Sequence, residues 1–222
     1  MKNVGKRILV LALGASVAGC STLSQEPSPP VPLGYVDTVQ IVSPNGDIES
    51  FVLGKLYETA LVERGRSASV QLIDGDLDEQ LSMLRDDSTD LVIACSGQLL
   101  EYYNPDLASE LAVEYANQTA FDKNSGEWRE KVYDALQGSL PYSIVATDPS
   151  NAIGCKDDTS LPQNIVPIYR KPNLDRGNRD TLNFVSGSLG TSDLEGLVKD
   201  AQTTGTTSET ALDFLLSKGF SR

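Results

Sequence analysis

From residue 36 onward the chain predicts a doubly wound α/β fold, a mostly parallel sheet covered by helices on both faces. Three observations carry that prediction. Short apolar runs alternate with segments whose apolar residues recur at helical spacing. Residues that favour helix starts stand between them, at Asp47, Asp76 and Ser192. Residues 90–95 read as one continuous apolar strand, the kind a parallel sheet buries on both sides.

The first strand is expected at residues 39–43, followed by the turn Pro44-Asn45-Gly46-Asp47, which can cap a helix. In the helix from 48 to about 63, Ile48, Phe51, Val52, Leu56, Ala60 and Leu61 share one broad face, and Gly65 ends it. Residues 70–73 form the next strand. Asp76 with Glu79 makes a capping-box-like start to a short helix that turns Leu77, Leu81 and Leu84 inward. After the strand at 90–95, helices are expected at 105–115 and 126–137, then a strand at 142–146. Two more strands, 153–155 and 165–169, flank the polar turn Lys156-Asp157-Asp158. The tail is helical, with segments at 182–189, at 194–201 behind Ser192 and Glu195, and at 209–218, stopped by Gly219. No internal repeat is visible.

The amino end has the order of a signal peptide. Lys2, Lys6 and Arg7 precede the apolar run 8–13, which is followed by small residues up to Cys20. The run is too short to span a bilayer, which takes about 20 apolar residues. Val17-Ala18-Gly19-Cys20 resembles a lipobox, which implies removal of residues 1–19 and acylation of Cys20. Two or more acyl chains, palmitate among them, would hold the protein at the membrane, where one chain binds only marginally. A soluble secreted protein cleaved nearby is the alternative. Residues 20–35, with Pro27, Pro29, Pro30 and Pro32, read as a semi-extended tether.

Losing residues 1–19 removes three positive charges and no negative ones, taking the formal charge from −13 to −16. Nucleic acid is therefore a poor partner, because phosphate binding needs a basic surface. The chain has no histidine, which excludes Ser-His-Asp and Cys-His catalysis and the helical zinc motif. With Cys20 lipidated, Cys95 and Cys155 form an even pair in an oxidising compartment, either as a disulfide or as two buried thiols. Asp86-Asp87 and Asp157-Asp158 are adjacent acids in polar turns, where solvation is their ordinary role, so an enzyme is not expected. No cofactor or metal is expected.

Two separated blocks are similar to the substrate-binding proteins of ABC importers for glycine betaine, choline and related osmoprotectants. The first comprises Val39-Gln40-Ile41-Val42-Ser43, Gly54-Lys55-Leu56-Tyr57, residues 77–84, Thr89-Asp90-Leu91-Val92 and Ser96-Gly97-Gln98-Leu99-Leu100. The second begins at Tyr133-Asp134-Ala135-Leu136-Gln137-Gly138 and continues through Thr147-Asp148 and Ile165-Val166-Pro167-Ile168-Tyr169-Arg170. It closes with Ser186-Gly187-Ser188-Leu189 and residues 211–219.

The resemblance implies a periplasmic-binding-protein-like fold of type II. Members are two-lobed clamps whose chain leaves the first lobe, builds the second and returns. The implied division is a main lobe at 36–100 and 153–222 with a second lobe reduced to about 101–152, because the interval from Gly97 to Tyr133 is too short for a lobe of ordinary size. Cys95 and Cys155 become lateral neighbours on this plan. Where the family supplies aromatic side chains to hold a quaternary ammonium, this chain has Val92-Ile93-Ala94-Cys95-Ser96-Gly97. Trp128 is expected to pack in a core, and Tyr102 and Tyr103 stand either at the cleft or on an exposed helix start.

A ligand would sit at the carboxyl ends of the strands, as in other open α/β sheets. The candidate lining is Ser43, Asn45, Asp47, Ser96, Gly97, Thr147 and Asp148, supplying hydrogen bonds and, through Asp47 or Asp148, a counter-charge for a cation. Each is equally an ordinary turn or cap residue. The resemblance implies a lipid-anchored solute-binding protein that delivers a quaternary-ammonium or other polar solute to an ABC permease outside the cell membrane. The alternative is an envelope accessory or interaction lipoprotein on the same scaffold that has lost ligand binding.

Overall fold

The computed structural model describes residues 36–123, 126–156 and 160–221. The signal peptide, Cys20 and the tether lie outside the described residues, as does Asp157-Asp158. No described helix is long and apolar enough to cross a membrane.

The chain opens with β1 (Val39–Pro44), and the expected turn then caps α1 (Ile48–Glu63): Asp47 is extended and its Oδ1 accepts from the Ser50 N–H at 3.1 Å. α1 buries Val52, Leu53, Gly54, Leu56, Tyr57, Ala60 and Leu61, a wider surface than the single face expected. It lies between the sheet and the C-terminal helices and is covered on both sides, whereas Ile48 and Phe51 remain half-buried. β2 (Ala68–Ile73) follows. Asp76 caps α2 (Leu77–Arg85) through the Glu79 N–H, and Leu81 and Leu84 turn inward as expected. The adjacent acids Asp86 and Asp87 close that helix in a polar turn, where Asp87 pairs with Arg170 at 2.8 Å.

β3 (Leu91–Cys95) is buried along its whole length. It runs directly into α3 (Ser96–Tyr103), a helix the spacing does not predict. α4 (Pro105–Ala116), α5 (Ala120–Lys123), α6 (Gly126–Ser139) and β4 (Ile144–Ala146) come next. The chain returns through β5 (Ile165–Arg170) and ends in α7 (Arg176–Ser188), α8 (Thr191–Thr204) and α9 (Thr207–Ser217). α7 starts well before the expected 182, because Asp175 accepts from the Asn178 N–H at 2.8 Å and nucleates an earlier first turn. α8 also starts early, with Asp193 Oδ2 accepting from the Gly190 N–H at 3.0 Å.

The sheet order is β2-β1-β3-β5-β4. β1 pairs in parallel with β2 and β3, while β5 runs antiparallel between β3 and β4. Val39, Ile41, Leu91, Ile93, Ile165 and Tyr169 face one core with α1 and the tail helices. Val42, Val92, Ala94, Val166 and Ile168 face the other with α2, α3, α4 and α6. Tyr57, completely buried, shares a 3.0 Å hydrogen bond with the Ser186 hydroxyl and ties α1 to α7.

Ala108, Leu111, Trp128, Val132 and Leu136, from the expected second-lobe segment 101–152, bury against the second face of the sheet, and residues 144–146 extend it. The described residues belong to one compact unit. One expectation is corrected: residues 153–155 do not form a strand, since only Ile153 makes an isolated bridge, to Asn164. Trp128 is a core residue, 5.1 Å from Tyr115.

Burial raises the Tyr57 phenol above its ordinary range, with the Ser186 hydrogen bond partly opposing, and pushes Tyr133 up to about 12. A raised folded-state value favours the protonated phenol, so this contribution is full below the unfolded value near 10 and is lost as pH climbs towards and past 12. Urea midpoints should be flat up to about pH 9 and fall steeply above about 10. Tyr57→Phe should cost roughly 1–3 kcal/mol at neutral pH by leaving the Ser186 hydroxyl buried without its partner, read from the same titrations.

Candidate functional site

At the carboxyl ends of β1 and β3 lies a cleft of about 780 Å³. Its floor is Ile93, Cys95 and Ile165, and the starts of three helices surround it. Asn45, Asp47 and Glu49 come from the entry to α1, Asp76 and Gln80 from α2, and Gln98 from α3. These positions follow from parallel topology, in which every strand-to-helix turn opens at the same end of the sheet. Cys155 and Lys156 close the remaining wall.

The helix starts present positive dipole ends, but acids already occupy two of them. Asp47 accepts from both the N–H and the hydroxyl of Ser50, and Asp76 from the Glu79 N–H. Glu49 Oε1 accepts from the Cys155 N–H at 3.1 Å. Lys156 is drawn to Glu195 at 2.6 Å, and that hydrogen bond raises its pKa. Among the described residues the lining carries three acids against one engaged lysine, a balance suited to a cation, and no aromatic side chain.

Of the seven candidate residues, only Asn45 and Asp47 line the cleft. Ser43 is 1% exposed at the end of β1, and its hydroxyl has no hydrogen-bond partner among the described residues. Ser96 is fully buried: its hydroxyl donates to the Pro162 carbonyl at 2.9 Å and accepts from the Asn164 N–H at 3.2 Å. Gly97 lies under the Gln163 side chain, so close that a Cβ there would stand 2.6 Å from Gln163 Nε2. Thr147 donates from its N–H to the Pro167 carbonyl at 2.9 Å, and its own carbonyl accepts from Tyr133. Asp148 is exposed on the outer side of β5, with its N–H donating to Asn183. Tyr102 and Tyr103 pack with α3 against the second core, outside the cleft.

What separates these residues is the connection from β4 to β5, whose described parts, 147–156 and 160–164, run as two arms. Ser150 and Gly154 N–H groups donate to the Ile165 and Gln163 carbonyls at 2.9 and 3.0 Å, continuing the antiparallel pairing past the end of the sheet. The arm at 162–164 lies against the start of α3. That helix has no cap from its own preceding residue; Gln163 Oε1, from across the hairpin, accepts from the Gln98 N–H at 3.1 Å. A disulfide from Cys95 to Cys155, with a Cα separation of 6.3 Å, fastens the arm at 147–156 to β3, so the bridged alternative for these cysteines is the one realised.

Sequence reasoning missed Glu49, Gln80, Gln98, Lys156 and Gln163. The first three sit in the opening turns of helices that follow strands, a positional signal the topology rule makes readable. Gln163 carries no local signal, since its role depends on a helix start more than sixty residues away.

No protein-family pattern matches the chain. No curated protein matches it in sequence. Solved structures do match in fold. Apo YehZ from Escherichia coli superposes with a TM-score of 0.61 at 12% identity, covering 84% of this chain and 100% of that one. A glycine betaine/carnitine/choline ABC transporter structure superposes at 0.52 and 15% identity, covering 82% and 99%. At such identities the likeness establishes the fold alone: the chain shares the α/β architecture of these two structures.

Replacing Gln163 by Met keeps its length but removes the acceptor for α3. The expected loss is roughly 1–3 kcal/mol in denaturant titration, with Gln163→Glu, which restores an acceptor at a helix start, recovering most of it near pH 7. Cys95→Ser/Cys155→Ser should cost about 4 kcal/mol by the loop-entropy relation for a separation of 60 residues.

Proposed function

We propose that the chain is an extracytoplasmic lipoprotein, anchored through Cys20, that uses one lobe of the solute-binding scaffold as an accessory or interaction component at the outer side of the membrane. An ABC-importer permease is the partner class. The observation that carries this reading is the connection from β4 to β5. Residues 147–156 and 160–164 run as two arms fastened to the sheet through the Cys95–Cys155 bond, and the described residues make one compact unit. Clamp closure needs two bodies and a hinge. The starts of α1, α2 and α3, which a ligand would meet, are occupied by Asp47, Asp76 and Gln163 of the chain itself. No catalytic role is part of the proposal.

One observation favours a second reading, direct capture of an osmoprotectant of the glycine betaine or choline class for delivery to the permease. The open cleft places Asp47, Glu49 and Asp76 around a space large enough for a small cation. Without aromatic faces that site lacks the contacts, each about 0.5–2 kcal/mol, that ordinarily hold a quaternary ammonium.

Thermal unfolding with glycine betaine, choline, carnitine and proline betaine separates the readings. A ligand at about 100 times its dissociation constant stabilises its binder by about 2.7 kcal/mol. The accessory reading expects no shift with any of the four, together with crosslinks from the cleft rim to an integral membrane protein in intact cells. A saturable shift with one of them establishes the second reading instead. Independently, Cys20→Ser should move the protein from the membrane to the soluble fraction; retention at the membrane would refute the anchor.

A further inference from the structure

We propose that the Cys95–Cys155 disulfide is a redox latch on the cleft wall, and that its reduction releases Cys155 and Lys156 while the sheet beneath stays folded. Both cysteines line the cleft, and they differ in burial. Cys95 is fully buried at the end of β3, inside the ladder that pairs it with Ile165. Cys155 is half-buried on the arm at 147–156.

Among the described residues, the last backbone rung before Cys155 is the Gly154 N–H to the Gln163 carbonyl at 3.0 Å. Beyond that rung, Cys155 is held by its N–H to Glu49, and Lys156 by an ion pair with Glu195 whose side chains are 55% and 59% exposed. Exposed pairs of this kind contribute little. Cys155 also sits at φ 46°, a left-handed conformation that residues bearing a Cβ disfavour. Gly154 is pressed so closely that a Cβ would stand 2.4 Å from Ile165 Cδ1. The bond thus fixes a residue in a conformation it would leave, next to weak contacts and an open cleft.

The chemistry is exchange with an external dithiol. Its thiolate attacks Cys155 Sγ, the more accessible sulfur, and the S–S bond breaks with Cys95 leaving as a thiolate that takes up a proton. The second thiol of the reductant then displaces Cys155, which is protonated in turn. Two electrons and two protons pass to the cysteines, and the dithiol ends as its own disulfide. Release removes one wall of the cleft and frees Glu49 from the Cys155 amide. The latch holds whether or not the cleft takes a solute, so its failure leaves the proposed function standing.

Hydrogen exchange of the full mature chain, before and after dithiothreitol, tests the latch. Exchange at Gly154 and Cys155 should accelerate by about tenfold or more, while Leu91–Cys95 keeps the protection of a folded core strand. In the reduced protein, iodoacetamide should label Cys155 about tenfold faster than Cys95. Cys95→Ala/Cys155→Ala should show the same exchange pattern without reductant. Unchanged exchange at Gly154 and Cys155, equal labelling of the two thiols, or loss of protection throughout β3 on reduction would each overturn the latch, the last by making the bond a staple for the whole lobe.

Discussion

Five residue pairs, from Leu91–Tyr169 to Cys95–Ile165, join β3 to β5 in antiparallel register. The rest of the structure depends on that ladder. It carries the last third of the chain back into the middle of the sheet that Val39 begins, so that α7, α8 and α9 return over α1 and bury it from behind. Without it, Tyr57 would have no Ser186 to meet, and the parallel strands β1, β2 and β3 would expose an apolar edge. The pairing also sets where the β4–β5 hairpin emerges, directly over the carboxyl ends of the parallel strands.

That placement links fold to function. Open α/β sheets leave a crevice at the carboxyl ends of their strands, where helix starts meet a ligand. Here the arms of the β4–β5 connection enter the same region. Gln163 completes α3, Ser96 is consumed by Pro162 and Asn164, and Cys155 is bonded to Cys95. What remains open is the part of the crevice between α1 and α2, bordered by acids. The chain thus fills part of the strand-end crevice with its own residues.

The elements that could be read along the chain are those with local causes. The Asp47 and Asp76 caps, the strand at 91–95, the inward Leu81 and Leu84, and the packing of Trp128 each follow from neighbouring residues. The misses share an opposite cause. α3 begins at Ser96, where no helix is expected, because its cap comes from Gln163. The apolar stripes within residues 101–152 reveal that they bury something, not which surface they bury against. Within the candidate site, Asn45 and Asp47 were legible from the first strand-to-helix turn. Ser96, Gly97 and Thr147 were placed at the right strand ends but are taken up by contacts within the lobe.

From its residues alone this protein is determined to be an α/β chain with little prospect of histidine chemistry or nucleic-acid binding, and with two cysteines free to pair once Cys20 is set aside. Those conclusions rest on composition, periodicity and spacing, which act over a few residues or over the chain as a whole. Only the tertiary structure decided that residues 108–136 pack on the second face of the sheet, that β5 runs antiparallel, and that Gln163 covers the start of α3. Each of these is a choice of partner between segments dozens of residues apart, and an apolar face or an unpaired N–H specifies that it needs a partner without specifying which one.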